Sequence, residues 1–291
     1  MSRATLKAWA IGEARIYRFV EIDSLVDPPG NLFKDASVAG VQGEDWLRPH
    51  FATVDGNLLL SFQCFLLKSC GQTILVDTCL GADKTREYDI FRNLQSNFLN
   101  DLTVIGESPE SVDIVLCTHL HHDHVGWNTR RVDGQWKPTF PKARYLFGRQ
   151  EWSHWQEQLE LSTAHFPHMQ ESVLPIIEAG LVDFVEPGHR VTDEVSLEAT
   201  PGHTPGHVSV CIRSGDEEAV ITGDVMHHPV QCAYPDWRTH FCTDDALARE
   251  TRRQFLERHT TRRTVVFGSH FPEPTAGRFE RHGEAWRFIV L

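Results

Sequence analysis

The chain has 291 residues, is 41% hydrophobic, and carries a formal net charge of −12 with an isoelectric point near 5.8. That length supports one substantial buried core, read here as a single domain over 1–291, although two fused halves would fit equally well. The acidic balance excludes a broad counterion-releasing surface, and the basic pairs Arg130-Arg131, Arg252-Arg253 and Arg262-Arg263 read as solvated faces, so no nucleic-acid partner is expected.

Residues 1–56 give mixed signals, with an obvious turn at Asp27-Pro28-Pro29-Gly30-Asn31. Met1 to Lys7 lack the apolar centre of a signal peptide. No run approaches the about 18 apolar residues of a membrane span. A cytoplasmic protein with no membrane partner is therefore expected. Leu58–Leu67 and Thr73–Val76 read as strands joined through Ser69-Cys70-Gly71-Gln72 as a hairpin. The seven cysteines form no C-x-x-C pair, and several sit inside strand-like runs and read as buried thiols; a hairpin could bring Cys64 to Cys70, but free thiols are expected.

Phe91, Leu94, Phe98, Leu102 and Ile105 recur at three- and four-residue spacing, which predicts one helix. It leads into a buried strand over Val112–Cys117, whose end opens onto Thr118-His119-Leu120-His121-His122-Asp123-His124. His119, His121, Asp123 and His124 are clustered side chains of the kind that zinc and iron accept. A polar loop rich in histidine, in a chain with 17 of them, is the plain alternative.

From about 140 to 180 the chain interleaves Tyr145, Phe147, Trp152, Trp155, Phe166 and Met169 with charges, and a helix is predicted to end at Gly180. This stretch is read as a lid or pocket insertion, as helices packed on a sheet, or as a dimer surface, with packing favoured for most of its aromatics. Strands follow near 181–185, 195–200 and 207–212, then a turn at Ser214-Gly215-Asp216 and a strand over Ala219–Ile221. A helix from Asp245 to His259 would turn Leu247, Phe255 and Leu256 inward, and a closing strand runs to His270.

Three of these later strand ends carry a further ligand-type residue. His203 lies in Pro201-Gly202-His203-Thr204-Pro205-Gly206-His207, Asp224 in Thr222-Gly223-Asp224, and His270 in Gly268-Ser269-His270. Repeated strand ends bearing such groups fit ligands delivered to one edge of a sheet, which weighs against the plain loop.

The H-x-H-x-D-H run, the P-G-H-T-P-G-H turn, the Gly-Asp and the late Gly-Ser-His together resemble the metallo-β-lactamase superfamily of binuclear metallohydrolases. Leu75-Val76-Asp77-Thr78 matches its early strand-ending Asp, so the resemblance runs from about residue 58 to 271. It implies an α/β fold, specifically a four-layered αββα sandwich, and two divalent metal ions. Zinc comes first, with iron, manganese or cobalt as alternatives. It also implies one ion held by His119, His121 and His203, and a second by Asp123, His124 and His270. Asp224 would bridge them, and Asp77 would orient ligands by hydrogen bonds without touching metal.

Two such ions, roughly 3.5–4 Å apart, would acidify a bridging water to a hydroxide that attacks a carbonyl or phosphoryl centre. Asp123 would carry the proton to the leaving group. Some lactonases of this family place a catalytic Tyr shortly after the bridging Asp. Here His227 and His228 stand there and the nearest tyrosine is Tyr234, so a histidine hydrogen bond to the same oxygen is expected instead. His122 is expected to face solvent and His207 to be a supporting or a surface residue. Trp127 and Phe271, close to ligands in sequence, are expected to line the pocket.

Gly126-Trp127-Asn128 and the run from Gly223 to Pro229 most resemble the quorum-quenching lactonase and methyl-parathion-hydrolase-like group. The expected activity is opening of a small-molecule lactone or ester, as in N-acyl homoserine lactonases. Alternatives are a glyoxalase II type thioesterase, an organophosphate hydrolase and, outside hydrolysis, a redox di-iron protein. A homodimer is compatible with each.

Overall fold

Along Phe65-Leu66-Leu67 and Ile74-Leu75-Val76, successive side chains leave opposite faces of the backbone. Both faces are apolar, so each sheet built from such strands must be covered twice. The computed structural model, which describes residues 6–86, 88–92, 94–161 and 166–291, does this with two stacked sheets. The first half supplies β1 (Ala8–Ile11), β2 (Ala14–Asp27), β3 (Leu58–Ser69), β4 (Gln72–Val76) and β5 (Ile114–Leu116). It continues with β6 (Thr129–Val132), β7 (Gln135–Pro138), β8 (Arg144–Gly148) and β9 (Val182–Val185). The second half supplies β10 (Val195–Ala199), β11 (Val208–Ser214), β12 (Glu217–Ile221), β13 (Val265–Phe267), β14 (Ala276–His282) and β15 (Ala285–Val290). One sheet is ordered β1-β2-β3-β4-β5-β8-β9 and the other runs in sequence from β10 to β15, with β6 and β7 a separate ribbon.

Between the sheets, Phe65, Leu67, Ile74, Val76 and Leu116 share one buried cluster with Leu197, Val210, Ile212, Ile221 and Phe267. On the outer face of the first sheet, Leu66, Leu75, Val115 and Tyr145 meet Phe98 and Leu102 of the Phe98–Val104 helix and Trp155 of the Arg149–Leu161 helix. Outside the second, Val220 and Val266 meet Phe255 and Leu256 of the Asp245–Arg262 helix. The four layers are thus α, β, β and α. Each such buried Leu, Ile or Phe contributes on the order of 1.5–3 kcal/mol, so the sandwich is held mainly by three apolar seams.

Several expectations need correction. The helix predicted over 91–105 is confined to Phe98–Val104, after a single 3-10 turn at Asp89–Phe91. The reason is tertiary: Phe91 is drawn out of the helical stripe to pack on Phe62, with ring centroids 4.9 Å apart. Leu247 faces outward, 41% exposed, because the inward face of its helix is Ala248, Arg252, Phe255, Leu256 and His259. Arg252 is no solvated residue. It is buried and donates to the carbonyls of Val225, Pro235 and Trp237. Trp127 and Phe271 belong to the core: Trp127 stacks on Phe98 and Phe271 packs against Phe288. Tyr145, Phe147, Trp155 and Met169 are core residues, in line with the packing favoured for this stretch. The strand before His270 does not close its sheet, since the β14–β15 hairpin extends it. All seven cysteines are free thiols.

Strand direction gathers the functional ends. β4 pairs parallel to β5 and β12 parallel to β13, while β10 runs with β12 because β11 lies antiparallel between them. The chain therefore leaves Val76, Leu116, Ala199, Ile221 and Phe267 along one edge of the sandwich. No helix among the described residues is long and apolar enough to cross a membrane.

Candidate metal centre

At that edge five loops converge on Asp224, whose two carboxylate oxygens face different groups. Oδ2 lies 3.2 Å from His203 Nε2 and 3.7 Å from His119 Nε2. His121 Nδ1 completes this group, 3.1 Å from His119 Nε2 and 2.9 Å from His203 Nε2. Oδ1 lies 3.1 Å from His270 Nε2 and 3.3 Å from His124 Nε2. Asp123 Oδ2 is 3.6 and 3.7 Å from the same two nitrogens. Ligand atoms of His119, His121, His203 and Asp224 all fall within 4.8 Å of one another, as do those of Asp123, His124 and His270. Four atoms around a tetrahedral zinc at about 2.0–2.1 Å stand roughly 3.3 Å apart, so both groups have the size to hold an ion. His124 Nε2 and Asp224 Oδ1 are buried with no hydrogen-bond partner among the described residues, a deficit a shared cation would remove.

Charge follows the same division. Burial drives His119 and His203 well below the ordinary imidazole value and His121 down to about 4. Burial also opposes charge on His124 and His270, but Asp224 and Asp123 outweigh it and raise both, with Asp77 adding to His124. Asp224 is held well below the usual carboxylate range, because His124, His270, His227 and His203 overcome its desolvation. Asp123 is lowered in the same way by His124, His122 and His270. The centre is a pair of committed carboxylates surrounded by imidazoles, which is a cation-binding environment.

The surrounding residues hold this geometry by hydrogen bonds. Asp77, at the end of β4, accepts from Thr118 N at 2.7 Å through Oδ1, and its Oδ2 lies 2.8 Å from His124 Nδ1. That leaves His124 Nε2 pointing inward. His270 Nδ1 lies 3.0 Å from the Ser61 carbonyl, which aims Nε2 at Asp224. His207 is buried rather than superficial. Its Nδ1 faces Thr200 Oγ1 at 2.8 Å and its Nε2 accepts from Asp224 N at 2.7 Å. Burial lowers it to about 3, which keeps the imidazole neutral and able to accept. The ring approaches so closely that a Cβ on Gly223 would overlap it, and Gly223 also has φ +54°.

His227 and His228 part company. His227 is buried on the wall of the centre, with Nε2 3.3 Å from Asp224 Oδ2 and its ring 4.7 Å from that of His203. Its Nδ1 has no hydrogen-bond partner among the described residues. His228 turns away: Nε2 lies 2.8 Å from the Phe51 carbonyl, and Nδ1 accepts from Val230 N at 3.0 Å. The expectation of a catalytic His228 is thereby corrected, since both ring nitrogens are taken by backbone. Tyr234 stacks on Trp237 and donates to the Gly40 carbonyl, away from the centre. His122 lies at the rim, its side chain 36% exposed and Nδ1 3.9 Å from Asp123 Oδ1.

An apolar wall stands beside the second group of ligands. Phe62 packs 5.1 Å from the His270 ring, Phe91 6.2 Å from His122, and Tyr88 and Ile90 continue outward, about half exposed. Sequence reasoning missed Phe62 and Ser61, although the predicted hairpin held the signal. Pairing Phe65 with Val76 carries the start of β3 past the end of β4, directly to the edge where the ligands gather. The segment bearing Tyr88 to Phe91 is anchored mostly outside the ligand loops, with one bond to the first of them at the His122 carbonyl. Glu171 accepts from Thr85 N with both oxygens, and Arg86 donates to the Leu80 and His122 carbonyls.

Lys84, in the same segment, is buried with Nζ 3.6 Å from the Trp136 ring centre, and burial together with Arg86 lowers it to about 7. The unfolded lysine titrates near 10.4. Its charge therefore costs folding fully below pH 7, and the cost fades as pH rises toward the unfolded value. Relative to Lys84→Met, wild type should gain up to about 1.4 kcal/mol per pH unit between pH 7 and 9.5. Denaturant titrations across that range would show it, and a pH-independent difference would refute the assignment.

Comparison with known proteins agrees with this geometry. The metallo-beta-lactamase superfamily profile matches residues 63–270. An N-acyl homoserine lactonase from Bacillus cereus is 27% identical over 179 residues, covering 57% of this chain and 64% of that protein. The N-acyl homoserine lactonase AiiA of Bacillus thuringiensis subsp. kurstaki is 26% identical over 183 residues, covering 58% and 66%. The alignments thus span just under two thirds of these relatives. Among solved structures, AidC, a dizinc quorum-quenching lactonase in complex with a product, superposes with a TM-score of 0.79 at 22% identity, covering 98% of this chain and 97% of that one. The hydrolase AbOPH does so with 0.82 at 24%, covering 100% and 99%. At such identities these two establish the fold. With the profile spanning most of the chain and the histidine-aspartate edge in place, the protein belongs to the metallo-beta-lactamase superfamily.

Proposed function

We propose that this chain is a binuclear metal-dependent hydrolase that opens lactones, with N-acyl homoserine lactones as the substrate class. The observation that carries the reading is Asp224, whose Oδ2 faces one group of imidazoles and whose Oδ1 faces the other. His119, His121 and His203 would hold one ion, and Asp123, His124 and His270 the other, with Asp224 shared and zinc the ion favoured. Two divalent ions, when bound, supply Lewis acidity and a water whose pKa falls toward neutrality.

The protein's own groups then have distinct tasks. Asp123 offers Oδ1, turned from His124 and His270 toward His122, to move a proton to the leaving oxygen. His227, neutral because burial lowers it and with Nδ1 unpaired, offers an N–H to charge developing on the substrate oxygen. Phe62, Phe91, Tyr88 and Ile90 would exclude water and bind an apolar substituent. The lactonase names of the curated relatives support the substrate class. The core shared between the two sheets supports reading 1–291 as a single domain.

Proton release at a pH-stat tests the reading. Metal-replete protein would be offered N-acyl homoserine lactones of short and long chain, an aryl ester, an acyl thioester and a phosphotriester, with Asp123→Ala as blank. Lactones should lead by at least about a hundredfold in kcat/KM, ~2.7 kcal/mol of transition-state preference. A lead by the thioester or the phosphotriester would sink the substrate class while leaving the metal centre standing.

A further inference from the structure

Glu151 is a carboxylate sealed in the interior, 1% exposed, in the first turn of the Arg149–Leu161 helix. The bonds that hold it come from N–H groups. Oε1 accepts from Leu120 N at 3.1 Å and from Trp155 Nε1 at 2.9 Å, and Oε2 accepts from Gly206 N at 3.2 Å. Leu120 sits between His119 and His121 on the loop leaving β5. Gly206 sits three residues beyond His203 on the loop leaving β10. The two loops come from different sheets, and this one carboxylate binds the backbone of both.

The fit is close on every side. A Cβ at Gly206 would overlap the Glu151 backbone, and one at Gly202 would overlap Ala248 in the Asp245–Arg262 helix. The His203 turn is therefore wedged between two helices, with Glu151 joining it to the His119–His121 loop. A desolvated carboxylate is costly unless its lone pairs are filled by well-placed donors, and here the donors are the loops themselves.

We propose that Glu151 is a positioning residue that clamps the His119–His121 loop to the His203 loop and so sets the spacing of the three nitrogens beside Asp224 Oδ2. The inference rests on the metal-centre reading above. Removing the clamp should loosen one ion and leave the Asp123, His124 and His270 group intact, because that group is held instead by Asp77 and Ser61.

The test is a titration of metal-stripped wild type, Glu151→Gln and Glu151→Ala with Zn2+ and Co2+. Chelator competition would give affinities, Co2+ absorption the ligand geometry, and circular dichroism the fold. Wild type should bind two ions. Glu151→Gln, which keeps the shape of the side chain but sets an amide against one of the donors, should stay folded and bind one of the two ten- to a hundredfold more weakly. Its Co2+ absorption for that ion should change. Glu151→Ala should weaken the same ion further, and if it fails to fold the Gln variant still decides. Both ions bound by folded Glu151→Gln with wild-type affinity and absorption would leave Glu151 a core residue and overturn the proposal. Wild type failing to bind a pair of ions would overturn the metal-centre reading along with it.

Discussion

Asp224→Ala should bind at most one divalent ion tightly where wild type binds two, and should lose at least about a thousandfold in kcat/KM, ~4 kcal/mol of transition-state stabilisation. Asp224 faces both groups of ligands at 3.1–3.3 Å. Removing it also strips the counter-charge from His124 and His270, whose raised pKa values depend on it. Their protons would then leave more readily, so the variant should stay folded with the imidazoles of His119, His203, His227, His124 and His270 facing a void. Metal analysis on gel-filtered protein, together with pH-stat rates, measures both effects. An Asp224→Ala variant with two tightly bound ions and wild-type turnover would sink the binuclear reading.

His227→Ala and His228→Ala should separate chemistry from architecture. His227→Ala should lower kcat about a hundredfold, the usual range for one hydrogen-bond donor aimed at developing charge, with KM and melting temperature nearly unchanged. His227→Gln, which retains an N–H, should recover much of the loss. His228→Ala should do the reverse. It leaves the Val230 N–H unpaired in the interior and the Phe51 carbonyl with Leu59 N as its remaining donor, which costs about 1–3 kcal/mol of stability, and kcat at a permissive temperature should hold. Rates and denaturation curves on both variants decide the matter, and equal kinetic losses in the two would refute the distinction.

The candidate ligand set was legible because its members follow the ends of short apolar strands, a pattern that survives in one dimension, and the structure brings them together. His228 was misjudged because the side chains of adjacent residues can diverge completely: His227 faces Asp224, whereas the turn toward Val230 swings His228 to Phe51. Trp127 and Phe271 misled for a related reason. Nearness to a ligand in sequence says little where the chain leaves the sheet edge and dives straight back into the core. Glu151 was invisible, since its role depends on two loops that are 86 residues apart at Leu120 and Gly206. The hairpin arithmetic that brings Phe62 to His270 was available but needed the register of β3 on β4 to be worked through. The N-terminal strands β1 and β2 lacked a readable pattern because burial along β2 is irregular, with register shifts near Val20 and Ile22.

The apolar wall formed by Tyr88, Ile90 and Phe91 hangs from moorings at Thr85, Arg86 and Glu171 that touch the ligand loop only at the His122 carbonyl, while His124 and Asp224 are held by Asp77 and His207. Under the proposed function, recognition and reactivity would therefore be written into separate stretches of chain. A lineage carrying this scaffold can exchange residues on the outer wall, and so drift from one diet to another, without disturbing the groups that break the bond. New preferences among its descendants should accumulate first between residues 88 and 92, with the histidines left as they were.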